Sequence, residues 1–316
     1  MTIKKTIYDV IIIGSGIAGI SAARTIHQKG HAVLVLDKGR RIGGRCATKR
    51  VDGFTFNHGA QFFTTKDESF TNIAKQASAQ QAVTSWSFGH DRTCYIGAPT
   101  MRDFPQMLAD GLMVKQSVKI TAIEKQDGLY HLIDDEAEDY YAHRLILTPP
   151  APQSAALLET LSPLLANTAK MAHYDPCWTV MVGLHSPCDS RALPLRDKAP
   201  IGWASAEDSR QPQMRPAVTI QADPHTSLSL IDHDKDEVTP LLIEAFETAT
   251  NQKLDIAMST AHRWLYARVR QPAPADAAFI DHDNHLAIAG DWFGKARLET
   301  AFLAGQRAAN ALLQNS

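Results

Sequence analysis

Cysteine is scarce: four residues (Cys46, Cys94, Cys177, Cys188), none in C-x-x-C spacing. Scattered thiols build neither a disulfide framework nor a tetrahedral zinc site, so reduced thiols in a cytoplasmic protein are expected. An excess of charge is also missing, with 32 Lys and Arg against 34 Asp and Glu, net −2. That excludes the broad positive field of a nucleic-acid or anionic-membrane binder. No apolar run approaches the roughly 20 residues of a membrane-spanning helix. The N-terminal MTIKKTIYDVIIIGSG imitates a leader, but its apolar run is short, Asp9 interrupts the approach, and it ends in glycines rather than a cleavage site. The acid- and His-rich stretches 280–285 (IDHDNH) and 232–234 fit no regular ligand spacing and read as turns, so no metal is expected.

What the chain does have is concentrated near its start. LDKGRRIGGRCATKR (36–50) holds six cationic side chains, one acid and three glycines. In a nearly neutral chain, such a local feature needs a local reason. YDVIII (8–13) is a continuous, β-branched run of the kind buried on both faces of a parallel sheet. IAGISAARTIHQKG follows with helical spacing up to Gly30, a candidate C-cap, and AVLVLD (32–37) is a second buried strand. Between strand and helix stands Gly14-Ser15-Gly16-Ile17-Ala18-Gly19, G-x-G-x-x-G, and Asp37 closes the second strand 18 residues after Gly19. In this context the first glycine permits the tight turn, the second lets a diphosphate approach the backbone, and the third lets helix and strand pack closely. The helix N-terminus offers free N–H groups to phosphates, and Asp37 can accept from a ribose. A simple dinucleotide unit does not need a second glycine–arginine cluster after its acid. Arg41-Ile42-Gly43-Gly44-Arg45 supplies backbone freedom and cationic donors suited to a long, extended FAD, although Arg40, Arg41, Lys49 and Arg50 can also be read as solvated charges.

Further along, the patterns predict a helix over 67–79, a strand over 82–88, a short helix over 101–110 and a three-strand meander over 117–148 turning at Asp127-Gly128. They continue with a helix over 151–166, an antiparallel sheet of short strands over 173–235, a helix over 237–250, a strand over 256–266 and a loop over 270–276. A hairpin, a glycine–acid turn and a helix from about 297 close the chain.

VIIIGSGIAG, DKGRRIGGR, FNHGAQFFT (56–64), LILTPPAPQ (145–153), YDPCWTVMVGL (174–184), HRWLYAR (262–268) and AGDWFGKARLETAFLAG (289–305) together resemble the glutathione-reductase-type FAD superfamily. The resemblance is to the branch containing amine oxidases and, more closely, renalase-like bacterial oxidoreductases. It implies an α/β fold in which a Rossmann-type FAD-binding domain (1–67, 97–149 and 278–316) carries an inserted, mainly antiparallel-sheet substrate domain (68–96 and 150–277), the p-hydroxybenzoate hydroxylase-like topology. It further implies non-covalent FAD, since the C-terminal GDW segment lacks a cysteine. Gly14, Ser15, Gly16, Ala18 and Gly19 would cradle the diphosphate, with Asp37 and Lys38 at the adenosine ribose and Val118 presenting its backbone to adenine. Arg40, Gly43, Gly44 and Arg45 would run along the ribityl–phosphate region, and His58, Gly59, Ala60 and Gln61 along the isoalloxazine. Asp291 would bind a ribityl or phosphate-side hydroxyl, and the helix start at Leu298, Glu299 and Thr300 would stabilise negative charge near flavin N1.

A second G-x-G-x-x-G in strand–helix context, as reductases with two dinucleotide sites carry, is missing. The electron donor must therefore reach the flavin itself, in a pocket whose candidates are Gln61, Phe63, Trp178, Trp203, His262, Arg263, Trp264 and Tyr266. Amine oxidases of this family place a lysine just before a Trp in the strand matching 256–266; here the stretch reads Ala261-His262-Arg263-Trp264. The resemblance thus implies an oxidase that takes hydride from the 2- and 6-dihydro isomers of NAD(P) to flavin N5, with O2 reduced to H2O2 and NAD(P)+ released. Such a donor aromatises on losing hydride and needs no obligatory base. An FAD-dependent amine oxidase or desaturase is the alternative, and a flavin-free binding protein on the same fold a further one.

Overall fold

The computed structural model describes residues 5–88, 93–189 and 193–314. Residues 1–4 and 315–316 of the expected first domain, and 89–92 and 190–192 of the second, lie outside the described residues. In chain order the elements are β1 (Ile7–Ile13), α1 (Ile17–Gln28), β2 (Val33–Asp37), β3 (Thr48–Val51), β4 (Phe54–Asn57), α2 (Glu68–Ala79), β5 (Val83–Trp86), β6 (Cys94–Gly97), α3 (Asp103–Leu108), β7 (Met113–Gln116), β8 (Ile120–Gln126), β9 (Leu129–Asp134) and β10 (Asp139–Leu147). Then come α4 (Ala151–Leu158), α5 (Pro163–Lys170), β11 (His173–Leu184), β12 (Leu195–Lys198), β13 (Ile201–Ala206), β14 (Ala217–Ala222), α6 (Pro224–Ser229), α7 (Lys235–Thr250), β15 (Ile256–Gln271), β16 (Ile280–Asp281), β17 (Leu286–Ile288), a 3-10 turn Asp291–Phe293 and α8 (Leu298–Leu313).

The apolar runs of β1, β2 and β10 are continuous because both faces of their sheet are covered. Its parallel core runs β17-β10-β1-β2-β7, extended by antiparallel β9 and β8 and by β16. Helices α1 and α8 pack on one face through Ala22, Ile26, Ala308 and Leu312 against Val10 and Ile12. Their backbones nearly touch at Gly305, where a Cβ would lie 2.1 Å from the Ala18 carbonyl oxygen. On the other face α4 and α5 bury Leu158 and Leu165 against Ile11, Leu34 and Leu145.

A second, antiparallel sheet has the order β12-β13-β14-β11-β15. Alternate residues Trp178, Val180 and Val182 point to one face, where α7 covers them with Val238, Leu242 and Phe246. The intervening Thr179 and Met181 point to the other face, in register with His262 and Thr260 of β15 and Gln221 and Thr219 of β14. Phe54 and Phe56 of β4 pack on Met181 of that face.

Two expectations need correction. The helix expected over 151–166 is two helices: Pro163 opens α5 as its first residue, with Ser162 as N-cap. The strand expected to stop at 266 runs to Gln271, into the expected loop, because it stays paired with β11 as far as His173. The cores show which segments pack together. Phe70, Ala74, Val83 and Ile96 share a core with Ile17, Ile20, Phe104 and Phe302, and α4 and α5 lie on the first sheet. Residues 68–83 and 151–170 therefore pack with the dinucleotide unit.

Candidate functional site

The G-x-G-x-x-G turn is built by close backbone contact. Gly14 takes φ +103°, and a Cβ on Gly19 would lie 1.9 Å from the Gly14 carbonyl oxygen. Gly16 differs: a Cβ there meets nothing within 4 Å. It is the N-cap of α1, and no side chain caps the helix, so no side chain takes its first N–H groups. Asp37, at the end of β2, accepts from the Ser15 amide and, at 2.6 Å, from that of Gly39. The Gly43 amide donates to the Ser15 carbonyl (3.0 Å), and a Cβ on Gly44 would come 3.3 Å from Gly16 Cα. The second glycine cluster is thus seated on the first, and a side chain on Gly44 would crowd the contact between the two loops. Ala18 is buried beneath them, while Lys38 reaches Gln153 (2.9 Å) and Arg40 is exposed. Val118 lies beside Asp37, its amide donated to the Asp37 carbonyl (2.9 Å).

Arg45 turns inward. Its guanidinium grips Asp291 with both ends, at 2.9 and 2.7 Å, reaches the Ala267 carbonyl of β15 (3.3 Å) and lies 5.9 Å over the Tyr174 ring. The Asp291 carboxylate raises the Arg45 pKa against the opposing effect of burial. One bidentate pair therefore ties the glycine–arginine loop, the C-terminal GDW segment and the second sheet together. At the start of α8 no side-chain cap is present. Leu298 and Thr300 are half-buried there, whereas the buried Glu299 carboxylate holds the Lys66 and Asp67 amides at 2.5 and 2.8 Å.

Residues 57–61 connect this region to the free face of the second sheet. The His58 ring stacks on Trp264 (5.3 Å) and meets His262 edge-on (5.2 Å), and the Trp264 indole donates to the His58 carbonyl (2.9 Å). Burial, then the neighbouring His262, Lys49 and Arg102, push the His58 pKa down to about 3. Burial and Lys49 lower that of His262 as well. Gly59 is clamped beneath Arg45, where a Cβ would sit 2.0 Å from the Arg45 carbonyl oxygen, and the Ala60 amide donates to that same oxygen at 2.9 Å. Gln61 donates to the Asn57 and Gly59 carbonyls (2.6 and 3.0 Å) and accepts from the Ser205 hydroxyl (3.2 Å). Ser205 in turn accepts from the Trp203 indole (3.2 Å).

Of the expected pocket residues, Gln61, Trp203, His262 and Trp264 come together on this face. Tyr266 lies farther along β15, edge-on to Tyr174. Three do not join them. Trp178 and Arg263 are one register step away from Thr179 and His262, which puts them on the opposite, helix-covered face. There the Trp178 indole donates to the Leu230 carbonyl (2.8 Å), Arg263 lies 5.5 Å over the Trp178 ring, and its guanidinium donates to the Ile231 carbonyl. Phe63 is buried among Phe70, Tyr95 and Phe104, a core position.

Residues 12–77 match the family model for an NAD(P)-binding Rossmann-like domain. A putative flavin-containing monoamine oxidase of Mycobacterium tuberculosis is 37% identical over 68 residues, 22% of this chain and 15% of that protein. Putrescine oxidase of Kocuria rosea is 43% identical over 56 residues, 18% and 12% of the two chains. The chain thus matches less than a sixth of the length of these curated relatives. Solved structures match nearly end to end: a putative protoporphyrinogen oxidase from Exiguobacterium sp. 255-15 (TM-score 0.76, 13% identity, 100% of both chains) and cyclohexylamine oxidase from Brevibacterium oxydans IH-35A (0.76, 14%, 98% and 99%). The chain shares the fold of these two oxidases.

Within that fold the residues present fit an FAD. The Ser15 hydroxyl, in the G-x-G-x-x-G turn expected to cradle the diphosphate, and His58 Nδ1, in the segment expected along the isoalloxazine, are buried without a partner. Each is a polar atom whose burial is costly unless something else satisfies it. What sequence reasoning missed is the polar set behind residues 57–61, namely Asn57, Ser205, Glu207, Arg210, Thr219 and Gln221. Their separation in the chain left no local pattern to find.

Proposed function

We propose that this chain is an FAD-dependent oxidoreductase of the amine-oxidase type whose donor is a dihydronicotinamide dinucleotide in its 2- or 6-dihydro form, with O2 as acceptor. The cofactor, when bound, supplies two-electron oxidation of the donor and passes the electrons to O2 as H2O2. The chain's own residues hold and orient. Gly16 and the start of α1 would take the diphosphate, Asp37 the adenosine ribose, Arg45 and Asp291 the ribityl–phosphate stretch, and the 57–61 segment with the start of α8 the ring system.

The observation that carries the donor assignment is the make-up of the free face of β15: His262 and Trp264 stand there with His58 as three mutually packed rings, and the residue before Trp264 is Arg263, turned to the opposite side of the sheet, where the amine-oxidase pattern has a lysine. Flat aromatic faces suit a planar dihydropyridine ring. Both imidazoles are held neutral, which suits a donor that needs no protonated partner, and a dihydropyridine loses hydride without a base because the product is aromatic. The relatives named for amines favour the second reading, an amine donor.

The test is anaerobic visible absorption of FAD-loaded protein after addition of borohydride-reduced NAD+, a mixture of dihydro isomers, with pure 4-dihydro NADH and cyclohexylamine as controls. Rapid bleaching by the mixture alone is expected. Bleaching by the amine and not by the mixture would transfer the assignment to amine oxidation.

A further inference from the structure

Glu207 and Arg210 are buried, with side chains 0% and 1% exposed, and pair at 3.4 Å in the turn after β13. A buried ion pair is weak support for stability because desolvation consumes most of its attraction. Their partners show where the pair is directed. Glu207 accepts from the Asn57 amide (2.9 Å), the Asn57 side-chain nitrogen (2.8 Å) and the Thr219 hydroxyl (2.6 Å). The remaining Asn57 oxygen accepts from the Met101 amide (2.8 Å) and the Thr48 hydroxyl (3.1 Å), so this side chain has no freedom left. Arg210 donates to the Gln61 carbonyl and lies 4.7 Å over the Trp86 ring. Between these two anchors, the His58 carbonyl accepts from Trp264 and the Gly59 carbonyl from Gln61 and Gln221. The acid thus grips the first residue of the 57–61 segment and the cation the last, both from the second sheet.

We infer that Glu207 and Arg210 are positioning residues. Acting through Asn57 and Gln61, they fix the 57–61 segment between the first domain and the second sheet, so that the ring-binding segment and the donor-side face move as one body. The inference rests on the proposed function only in taking 57–61 as the ring-binding segment; the anchoring itself does not depend on it.

The experiment compares full-length wild type, Glu207→Gln and Thr219→Val by hydrogen–deuterium exchange without FAD, FAD titration and thermal melting. Glu207→Gln keeps the shape but turns an amide donor toward Arg210 and Asn57. Thr219→Val is nearly isosteric, leaves the ion pair, and covers the case in which the first variant fails to fold. Exchange at 57–61 is expected to quicken at least tenfold in Glu207→Gln and severalfold in Thr219→Val, with 8–37 unchanged, and FAD dissociation constants are expected to rise in the same order. Lower melting temperatures with unaltered exchange at 57–61 would overturn the inference and make the pair a purely structural one. A wild type that takes up no FAD would refute the proposed function, while the exchange comparison would still decide the inference.

Discussion

Gly16 and Gly19 stand three residues apart in one motif, yet they answer to different constraints, and an alanine at each separates them. Gly16 has φ −71° and ψ 178°, a conformation open to any residue, and its added Cβ meets no atom within 4 Å. Replacing glycine by alanine at an N-cap costs at most about 1 kcal/mol, so unfolding of the FAD-free protein should barely change. A phosphate at hydrogen-bonding distance from the first amides of α1 would, however, need the space that the methyl fills. Overpacking of this kind costs about 1–3 kcal/mol, which is a loss of roughly 5- to 150-fold in FAD affinity. In Gly19→Ala the methyl lies 1.9 Å from the Gly14 carbonyl oxygen and 2.9 Å from Thr148 Oγ1. Relief requires α1 to move away from the turn by more than 1 Å, roughly the gap to ordinary contact. Thr148, which donates to the Ile13 and Gly14 carbonyls at 2.9 and 3.2 Å, must move with it. The expected loss is about 3 kcal/mol or more, with or without FAD. Urea unfolding of flavin-stripped protein, paired with FAD titration followed by flavin fluorescence, reads both quantities. If Gly16→Ala binds FAD as wild type does, or loses as much stability as Gly19→Ala, the assignment of Gly16 to the ligand and Gly19 to packing is wrong.

Acid sensitivity and the sidedness of β15 give two more outcomes. His58 is neutral in the folded state down to about pH 3 but takes a proton at about 6.5 when unfolded, so the unfolded state binds more protons as pH falls through that window. His58 therefore contributes stability that is intact above pH 6.5 and drains away toward pH 3, by up to about 1.4 kcal/mol per pH unit; a His58→Gln variant should show a shallower decline in urea unfolding at pH 7, 5 and 4, and parallel curves would count against a buried neutral imidazole. Arg263→Ala should leave KM and kcat within about twofold of wild type, at a stability cost of about 0.5–1 kcal/mol from the lost contact with Trp178. His262→Ala, one residue away but on the free face, should raise KM severalfold, and the reverse ranking in steady-state kinetics would contradict the register of β11 and β15.

The legible parts of this molecule are those whose cause is local. The β1–α1–β2 unit could be read because strand burial, glycine spacing and the terminal acid all fall within thirty residues. The glycine–arginine loop, which follows directly, packs on that same turn. Arg45, however, engages Asp291, 246 positions away, a pairing that proximity in sequence does not reveal. Trp178 and Arg263 were misplaced for a different reason. They lie in the right strands, but strand periodicity says only that neighbours face opposite ways, and a partner strand or covering helix decides which face is which. Here α7 and the Leu230–Ile231 turn claim the side that holds Trp178 and Arg263. The Glu207–Arg210 pair was the least visible feature, since an acid and an arginine three apart look like any solvated turn until burial is known. Its meaning arises only where two independently readable sheets meet at residues 57–61. Nearest the proposed chemistry, then, the determining contacts are those between domains, and a variant that leaves every local pattern intact can still misplace the His58–Trp264 stack.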